Sequence, residues 1–124
     1  MSQAGRWPIT IRKGEDFSLE FWVEIDDVVL DLTGASVYGQ IRKLRNRETD
    51  LILDFTVTVD GVAVTNPAPT DNVIKLTLTD VQTAAIDDDE TSGYYDVLVV
   101  GSGGEDIYYL EGPVTILDSV TVKP

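Results

Sequence analysis

The chain has 124 residues, a net charge of −13, and neither cysteine nor histidine. The missing cysteines exclude disulfides and thiolate nucleophiles, and the missing histidines exclude a Ser-His-Asp triad and any zinc site that uses histidine. With 43% hydrophobic residues, a cysteine-free chain of this length is typical of one globular domain, here residues 1–124, assembled in a reducing cytoplasm.

The negative charge is unevenly distributed along the chain. Residues 1–47 contain seven basic and seven acidic residues, whereas residues 48–124 contain two basic and fifteen acidic residues and so carry the whole net charge. Because an acidic protein repels phosphate groups, we expect no nucleic-acid partner. No apolar run approaches the roughly 18 residues of a membrane helix, so we expect no membrane partner either.

Alternation of apolar and polar residues predicts nine short β-strands, since successive side chains of a strand point to opposite faces. The predicted strands are residues 7–13, 17–25, 28–32, 35–44, 51–59, 62–65, 73–79, 94–100 and 107–117. An extended N-terminal arm is predicted over residues 1–8. Turns are predicted at Asp26-Asp27, Asp60-Gly61 and Gly101–Gly104.

The same alternation predicts which side chains face the core. In the longest run these are Phe17, Leu19, Phe21, Val23 and Ile25. In residues 51–59 they are Leu51, Leu53, Phe55, Val57 and Val59. In the last strand they are Tyr108, Leu110, Gly112, Val114 and Ile116. The predicted core consists of Leu19, Phe21, Val23, Ile41, Leu53, Phe55, Leu76, Leu78, Val97, Leu110 and Val114.

One short helix is predicted at residues 80–86. Thr79 or Asp80 can cap its N-terminus, and Val81, Ala84 and Ala85 share one face at helical spacing. The pattern as a whole predicts an all-β fold, an antiparallel β-sandwich of seven to nine strands with one short helical turn. A small closed barrel is the alternative all-β architecture.

Six short motifs occur in an order that resembles one protein family. They are Gly14–Leu19 (GEDFSL), Asp31–Gly34 (DLTG), Ile41–Lys43 (IRK), Leu78–Ala85 (LTDVQTAA), Gly93–Val97 (GYYDV) and Leu110–Ile116 (LEGPVTI). Together they resemble small phage tail proteins that are similar to the immunoglobulin-like N-terminal domain of phage baseplate upper proteins. The sequence departs from that family's pattern at Asp87–Glu90, where the family tends to have a short turn of apolar, Pro, Ala and Gly residues, and at the loop Asn66–Asn72.

The resemblance implies an immunoglobulin-like sandwich that is a structural component of a phage virion, in the tail or baseplate. It implies protein-protein contacts with other tail or baseplate proteins and with copies of the same chain, no cofactor and no enzymatic activity. Two alternatives remain: a capsid decoration protein, and a module that binds carbohydrate or a host surface through exposed tyrosines, for which Tyr94, Tyr108 and Tyr109 are candidates.

Candidate interface residues fall into three groups. The four cations are Arg42, Lys43, Arg45 and Arg47. The acidic turn is Asp87, Asp88, Asp89 and Glu90, which also admits a calcium ion, although it lacks the spacing of a calcium loop. The aromatic candidates are Trp7 and Trp22, because alternation points Trp22 away from the core and tryptophan is enriched at binding hot spots.

Charge suggests how copies of the chain could meet. Basic residues 42–47 on one copy could contact acidic residues 87–90 on the next and close a ring, with the tryptophans as apolar anchors. Asp26, Asp27 and Asp31 could be imagined as a carboxylate pair for glycoside hydrolysis. They lie in predicted turns, where aspartate is common, so we expect no enzyme.

Overall fold

The computed structural model of the protein describes residues 5–43, 51–60, 72–87 and 89–118. These contain eleven strand segments and one helix. In chain order they are β1 (Gly5–Arg6), β2 (Ile9–Arg12), β3 (Phe17–Phe21), β4 (Glu24–Ile25), β5 (Val28–Val29), β6 (Ser36–Arg42), β7 (Leu51–Asp54), β8 (Thr56–Asp60), β9 (Val73–Leu78), α1 (Asp80–Ala84), β10 (Ser92–Val100) and β11 (Asp106–Leu117). The strand predicted at residues 62–65 lies outside the described residues.

Nine of these strands form two sheets that enclose the core, which confirms the predicted β-sandwich. The larger sheet has the order β1-β11-β10-β6-β7, with β2 also paired to β11, and the smaller has the order β3-β9-β8. Neighbouring strands are antiparallel, except that β1 and β2 run parallel to β11 at one edge. Buried side chains from both sheets form one cluster between them.

Two of the predicted strands are broken in the structure, and the first break leaves a β-hairpin beside the sandwich. The run predicted as one strand over residues 17–25 stops at Phe21, and β4 pairs only with β5 among the described strands. Asp26 and Asp27 make the turn with left-handed φ angles of 53° and 65°, which aspartate tolerates better than most residues. Because this hairpin leaves the sheet, Ile25 is exposed rather than inward as predicted.

The second break divides the strand predicted over residues 51–59 into two strands, one in each sheet. β7 belongs to the larger sheet and β8 to the smaller, and Phe55 is the corner between them. The Phe55 amide donates to the carbonyl of Gly39 at 3.0 Å. Its ring is buried between the sheets, with its centroid 6.0 Å from that of Phe17 and 6.1 Å from that of Tyr95. The Phe55 ring therefore contacts residues of both sheets.

Leu51 and Tyr108, predicted to face inward, face outward because of two β-bulges. The pairing of β6 with β7 shifts by one residue at Ile52, and that of β10 with β11 shifts at Tyr109. The extra residue in a bulge shifts the alternation by one position. Beyond the bulge, side chains that would have faced inward therefore face outward. Leu51 and Tyr108 are therefore exposed, while Ile52 and Tyr109 pack against the core.

The remaining core predictions are confirmed. Six of the expected residues are buried: Ile41, Phe55, Leu76, Leu78, Val97 and Val114. Four are half-buried against that cluster: Leu19, Phe21, Leu53 and Leu110. Val23, the exception, is half-buried within the hairpin and is not among the side chains that pack against that cluster.

The helix has the predicted position but buries a different face. Thr79 caps it, and the Gln82 side chain accepts from the Thr79 amide to complete a capping box. Val81 is 74% exposed, and Ala84 and Ala85 are exposed as well. The buried helical side chain is Thr83, whose hydroxyl finds partners in the neighbouring turn.

Candidate functional site

The first and fourth sequence motifs contact each other. The hydroxyl of Thr83 accepts from the Gly14 amide at 3.0 Å and donates to the Glu15 carbonyl at 2.9 Å. Asp16 accepts from the Asp80 amide at 2.7 Å, at the helix N-terminus, where a carboxylate is favoured. These bonds fix the turn before β3 to the helix after β9.

The fifth and sixth motifs meet at a close contact with the N-terminal strand. Tyr95 on β10 lies opposite Gly112 on β11, and its hydroxyl donates to the Trp7 carbonyl at 2.6 Å. The Trp7 amide donates to the Glu111 carbonyl at 2.8 Å. A side chain on Gly112 would overlap the Trp7 carbonyl. Glycine therefore lets residues 5–8, the described part of the arm predicted over residues 1–8, lie directly against β11.

The second motif, Asp31–Gly34, is a turn closed by its own side chain. Asp31 accepts from the Thr33 amide at 2.9 Å, and this bond lowers the pKa of its carboxyl. Gly34 has a φ of 75°, which glycine adopts without steric cost. The Leu32 amide donates to the buried Asn72 side chain. In these three places the motif residues maintain the fold.

The buried Tyr95 hydroxyl gives stability a specific pH dependence. Desolvation, with a smaller effect from Tyr94, raises the pKa of Tyr95 above its ordinary 10.0. Above that pH the unfolded chain loses this proton and the folded chain keeps it, so the free energy of unfolding falls by up to about 1.4 kcal/mol per pH unit. We expect Tyr95→Phe to flatten this decline in denaturant titrations between pH 9 and about 11, and exposed Tyr38→Phe to leave it unchanged. Equal slopes for the parent and Tyr95→Phe would contradict this assignment.

The acidic turn is fastened to the sandwich by lysines. Lys43 pairs with Glu90 at 3.0 Å, and the buried Lys13 ammonium donates to the Asp87 carbonyl at 2.9 Å. Lys13 also pairs with Asp118 at 3.1 Å. The sequence does not single out Lys13, because a lysine at a strand end gives no sign of burial.

The charged candidates are thus partly brought together within one chain. Lys43 and Glu90, expected on different surfaces for contact between copies, form an ion pair within one chain. Arg42 lies on β6, where it donates to the Gln40 side chain at 3.0 Å. Asp87 and Asp89 are exposed, whereas Arg45, Arg47 and Asp88 lie outside the described residues.

Neither a metal site nor a membrane span is found in the described part of the chain. No group of three or more Asp and Glu side chains that could hold a metal ion occurs within residues 5–43, 51–60, 72–87 and 89–118. No helix in these ranges is long and apolar enough to cross a membrane. Asp31 and Glu105 line a small cleft of about 120 Å³, and Asp26 and Asp27 lie apart from it in the hairpin turn.

An exposed apolar surface lies on the segment from Trp22 to Leu30, which we call the apolar hairpin. Trp22 is 50% exposed, as its alternation predicted, and Ile25 and Val28 are exposed as a cross-strand pair. The Leu30 amide donates to the Val23 carbonyl at 2.7 Å and extends the hairpin beyond the turn. Trp7 is 57% exposed on the N-terminal strand.

A second exposed surface is the outer face of the larger sheet. Tyr38, Leu98 and Tyr108 lie directly opposite one another on β6, β10 and β11, and we call them the tyrosine row. Tyr38 is 57% exposed and Tyr108 is 46% exposed. The sequence alone does not predict this row, because strict alternation points Tyr108 inward and only the bulge at Tyr109 turns it outward.

A polar row runs beside the tyrosine row, two residues further along β6. It consists of Asp54, Gln40, Asp96, Glu111 and Arg6. The Gln40 amide donates to Asp54 at 2.8 Å. Tyr94, an initial carbohydrate candidate, lies beyond this row and is 3.5 Å from Arg6. Tyr109, the other such candidate, packs against the core, and burial with the nearby Glu105 charge raises its pKa.

Comparison of the chain with protein-family models gives no match, and comparison with curated proteins gives none either. The structure itself defines the class as an all-β sandwich. The apolar hairpin and the tyrosine row are two exposed apolar surfaces among the described residues.

Proposed function

We propose that the protein is a structural component of a phage virion, in the tail or baseplate, and that it acts through protein-protein contacts in assembly. The proposal assigns it a scaffold role and no enzymatic activity. Its partners are other tail or baseplate proteins and copies of the same chain. The exposed apolar hairpin is the observation that carries the proposal.

The apolar hairpin has the composition of an assembly contact. Trp22, Ile25 and Val28 place exposed apolar surface on a segment that leaves the sandwich. Exposed apolar patches mark interaction sites, and tryptophan is enriched at their energetic centres. Asp26 and Asp27 at the tip of the hairpin favour a partner surface that combines apolar and basic groups.

The motifs that resemble phage tail proteins support the same role. A hydrogen bond from the Gly14 amide to the Thr83 hydroxyl connects the first motif to the fourth. Tyr95 lies opposite Gly112 of the sixth motif, and its hydroxyl donates to the Trp7 carbonyl. Motif residues that hold strands and turns together are expected in a protein that acts as a rigid building block. The resemblance therefore concerns the architecture, and the exposed surfaces determine what the building block contacts.

Incorporation into particles tests the proposal. We expect the protein in purified particles of the phage that carries its gene, and we expect Trp22→Ala combined with Val28→Thr to reduce its incorporation at least tenfold. Burying this apolar surface is expected to supply much of the contact energy. Quantitative mass spectrometry of purified particles measures the copy number.

Val81→Thr is the matched control, because Val81 is an exposed β-branched residue far along the chain on the helix. It should leave the copy number unchanged. Absence of the protein from particles, or equal incorporation of the hairpin variant and its parent, would overturn the proposal. If antibody labelling of particles finds the protein only on the capsid, the protein is a capsid decoration protein instead.

A further inference from the structure

We propose that the outer face of the larger sheet is a binding site for a neutral oligosaccharide. The site is formed by the tyrosine row, the polar row and a groove beside Tyr38. It is independent of the apolar hairpin, so it goes beyond the assembly role proposed above.

The tyrosine row supplies the surfaces on which sugar rings pack. Neighbouring strands lie about 4.8 Å apart, which separates Tyr38 from Tyr108 by about 10 Å across β10. This separation suits alternate rings of an extended oligosaccharide, one over each tyrosine, with the ring between them over Leu98. The C–H groups on one side of a pyranose are attracted to an aromatic face, and Leu98 keeps the surface between the two tyrosines apolar.

The polar row supplies hydrogen-bonding groups at a matching distance. It lies two residues along β6 from Tyr38, or about 7 Å. Gln40 and Asp54 are held together by the 2.8 Å bond between their side chains, and Arg42 fixes Gln40 from the other side at 3.0 Å. Carboxylate and amide oxygens that are fixed in this way can accept hydrogen bonds from sugar hydroxyls without losing much side-chain entropy.

A shallow groove extends the site to the edge of the sheet. It has a volume of about 280 Å³ and lies where the chain crosses from β7 to β8. Tyr38, Gln40 and Asp54 line its polar side, and Phe55 and Val57 line its apolar side. An apolar floor with a few convergent polar groups is the usual composition of a small-ligand site.

The charge of this face selects a neutral ligand. The polar row has three carboxylates and one arginine, and the whole chain carries −13. This field repels uronic acids, sialic acids and phosphorylated glycans. A protein partner would find few apolar groups here beyond the tyrosine row, whereas a sugar uses the tyrosines and the polar row together.

Affinity electrophoresis tests the site. The purified protein is run in native gels that contain hydroxyethylcellulose, dextran, galactomannan or a β-1,3-glucan, with alginate as the anionic polymer. We expect at least one neutral polysaccharide to retard the protein and alginate to leave it unretarded. Tyr38→Ala and Tyr108→Ala should each raise the dissociation constant about tenfold, the loss typical of an aromatic residue at a binding hot spot.

Trp22→Ala is the matched control, because it removes an exposed aromatic ring from the apolar hairpin and leaves this face intact. It should bind polysaccharide like the parent protein. The proposal is overturned if no neutral polysaccharide retards the protein, if both tyrosine variants bind like the parent, or if Trp22→Ala loses as much affinity as they do. Unchanged incorporation of both tyrosine variants into particles would show that the sugar site and the assembly contact are separate.

Discussion

Replacing Phe55 with alanine is expected to lower the free energy of unfolding by about 3–5 kcal/mol. The ring is buried at the corner where the chain passes from the larger sheet to the smaller, and it contacts aromatic rings from both. Its removal forfeits the transfer free energy of the side chain and leaves a cavity between the sheets. Denaturant titration at neutral pH measures the loss.

Phe55→Leu is the matched variant for this position. It keeps the side chain apolar and fills much of the same volume, so we expect it to cost less than half as much as alanine. A loss below about 1 kcal/mol for Phe55→Ala would mean that the ring does not connect the sheets.

Replacing Gly112 with alanine is expected to cost about 3 kcal/mol, the upper range for inserting a group into a packed interior. The added carbon would overlap the Trp7 carbonyl, so the N-terminal strand must move away from β11. That movement breaks the 2.6 Å bond from the Tyr95 hydroxyl to Trp7 and leaves a buried donor without its partner.

Gly5→Ala is the control for Gly112, because a side-chain carbon at Gly5 would lie at an ordinary 3.4 Å from the Tyr109 carbonyl in the same strand pair. It should change stability by less than about 0.5 kcal/mol, as most surface substitutions do. Hydrogen exchange at residues 5–12 measures the detachment directly. Equal protection of these amides in Gly112→Ala and its parent would refute the close-contact explanation.

Local alternation was sufficient to predict the strands and most of the core. The buried residues Ile41, Leu76 and Val97 follow directly from period-two spacing. The helix position followed from its cap, because Thr79 precedes a short run of apolar residues at helical spacing. These features depend on neighbours only a few residues away.

The errors arose where pairing between distant strands decides the outcome. A bulge depends on the register of the partner strand, so nothing local in residues 106–117 indicated that Tyr108 would be exposed and Tyr109 inward. The burial of Thr83 depends on the turn at Gly14, 69 residues away. The tyrosine row exists only because β6, β10 and β11 are neighbours.

The charge pattern was a weaker guide than the hydrophobic pattern. Counts along the chain separated a neutral segment from an acidic one, which suggested two surfaces of opposite charge. Folding joins Lys43 to Glu90 and Lys13 to the Asp87 carbonyl, so part of that contrast is used inside one molecule. We therefore expect the proposed contact between copies to depend chiefly on apolar surface.

Cryo-electron microscopy of phage particles tests the proposed assembly role most directly. We expect density for copies of the sandwich in the tail or baseplate, with Trp22 and Val28 of the apolar hairpin buried against a neighbouring subunit. Particles without density for the sandwich, or with copies whose apolar hairpin faces solvent, would contradict the account.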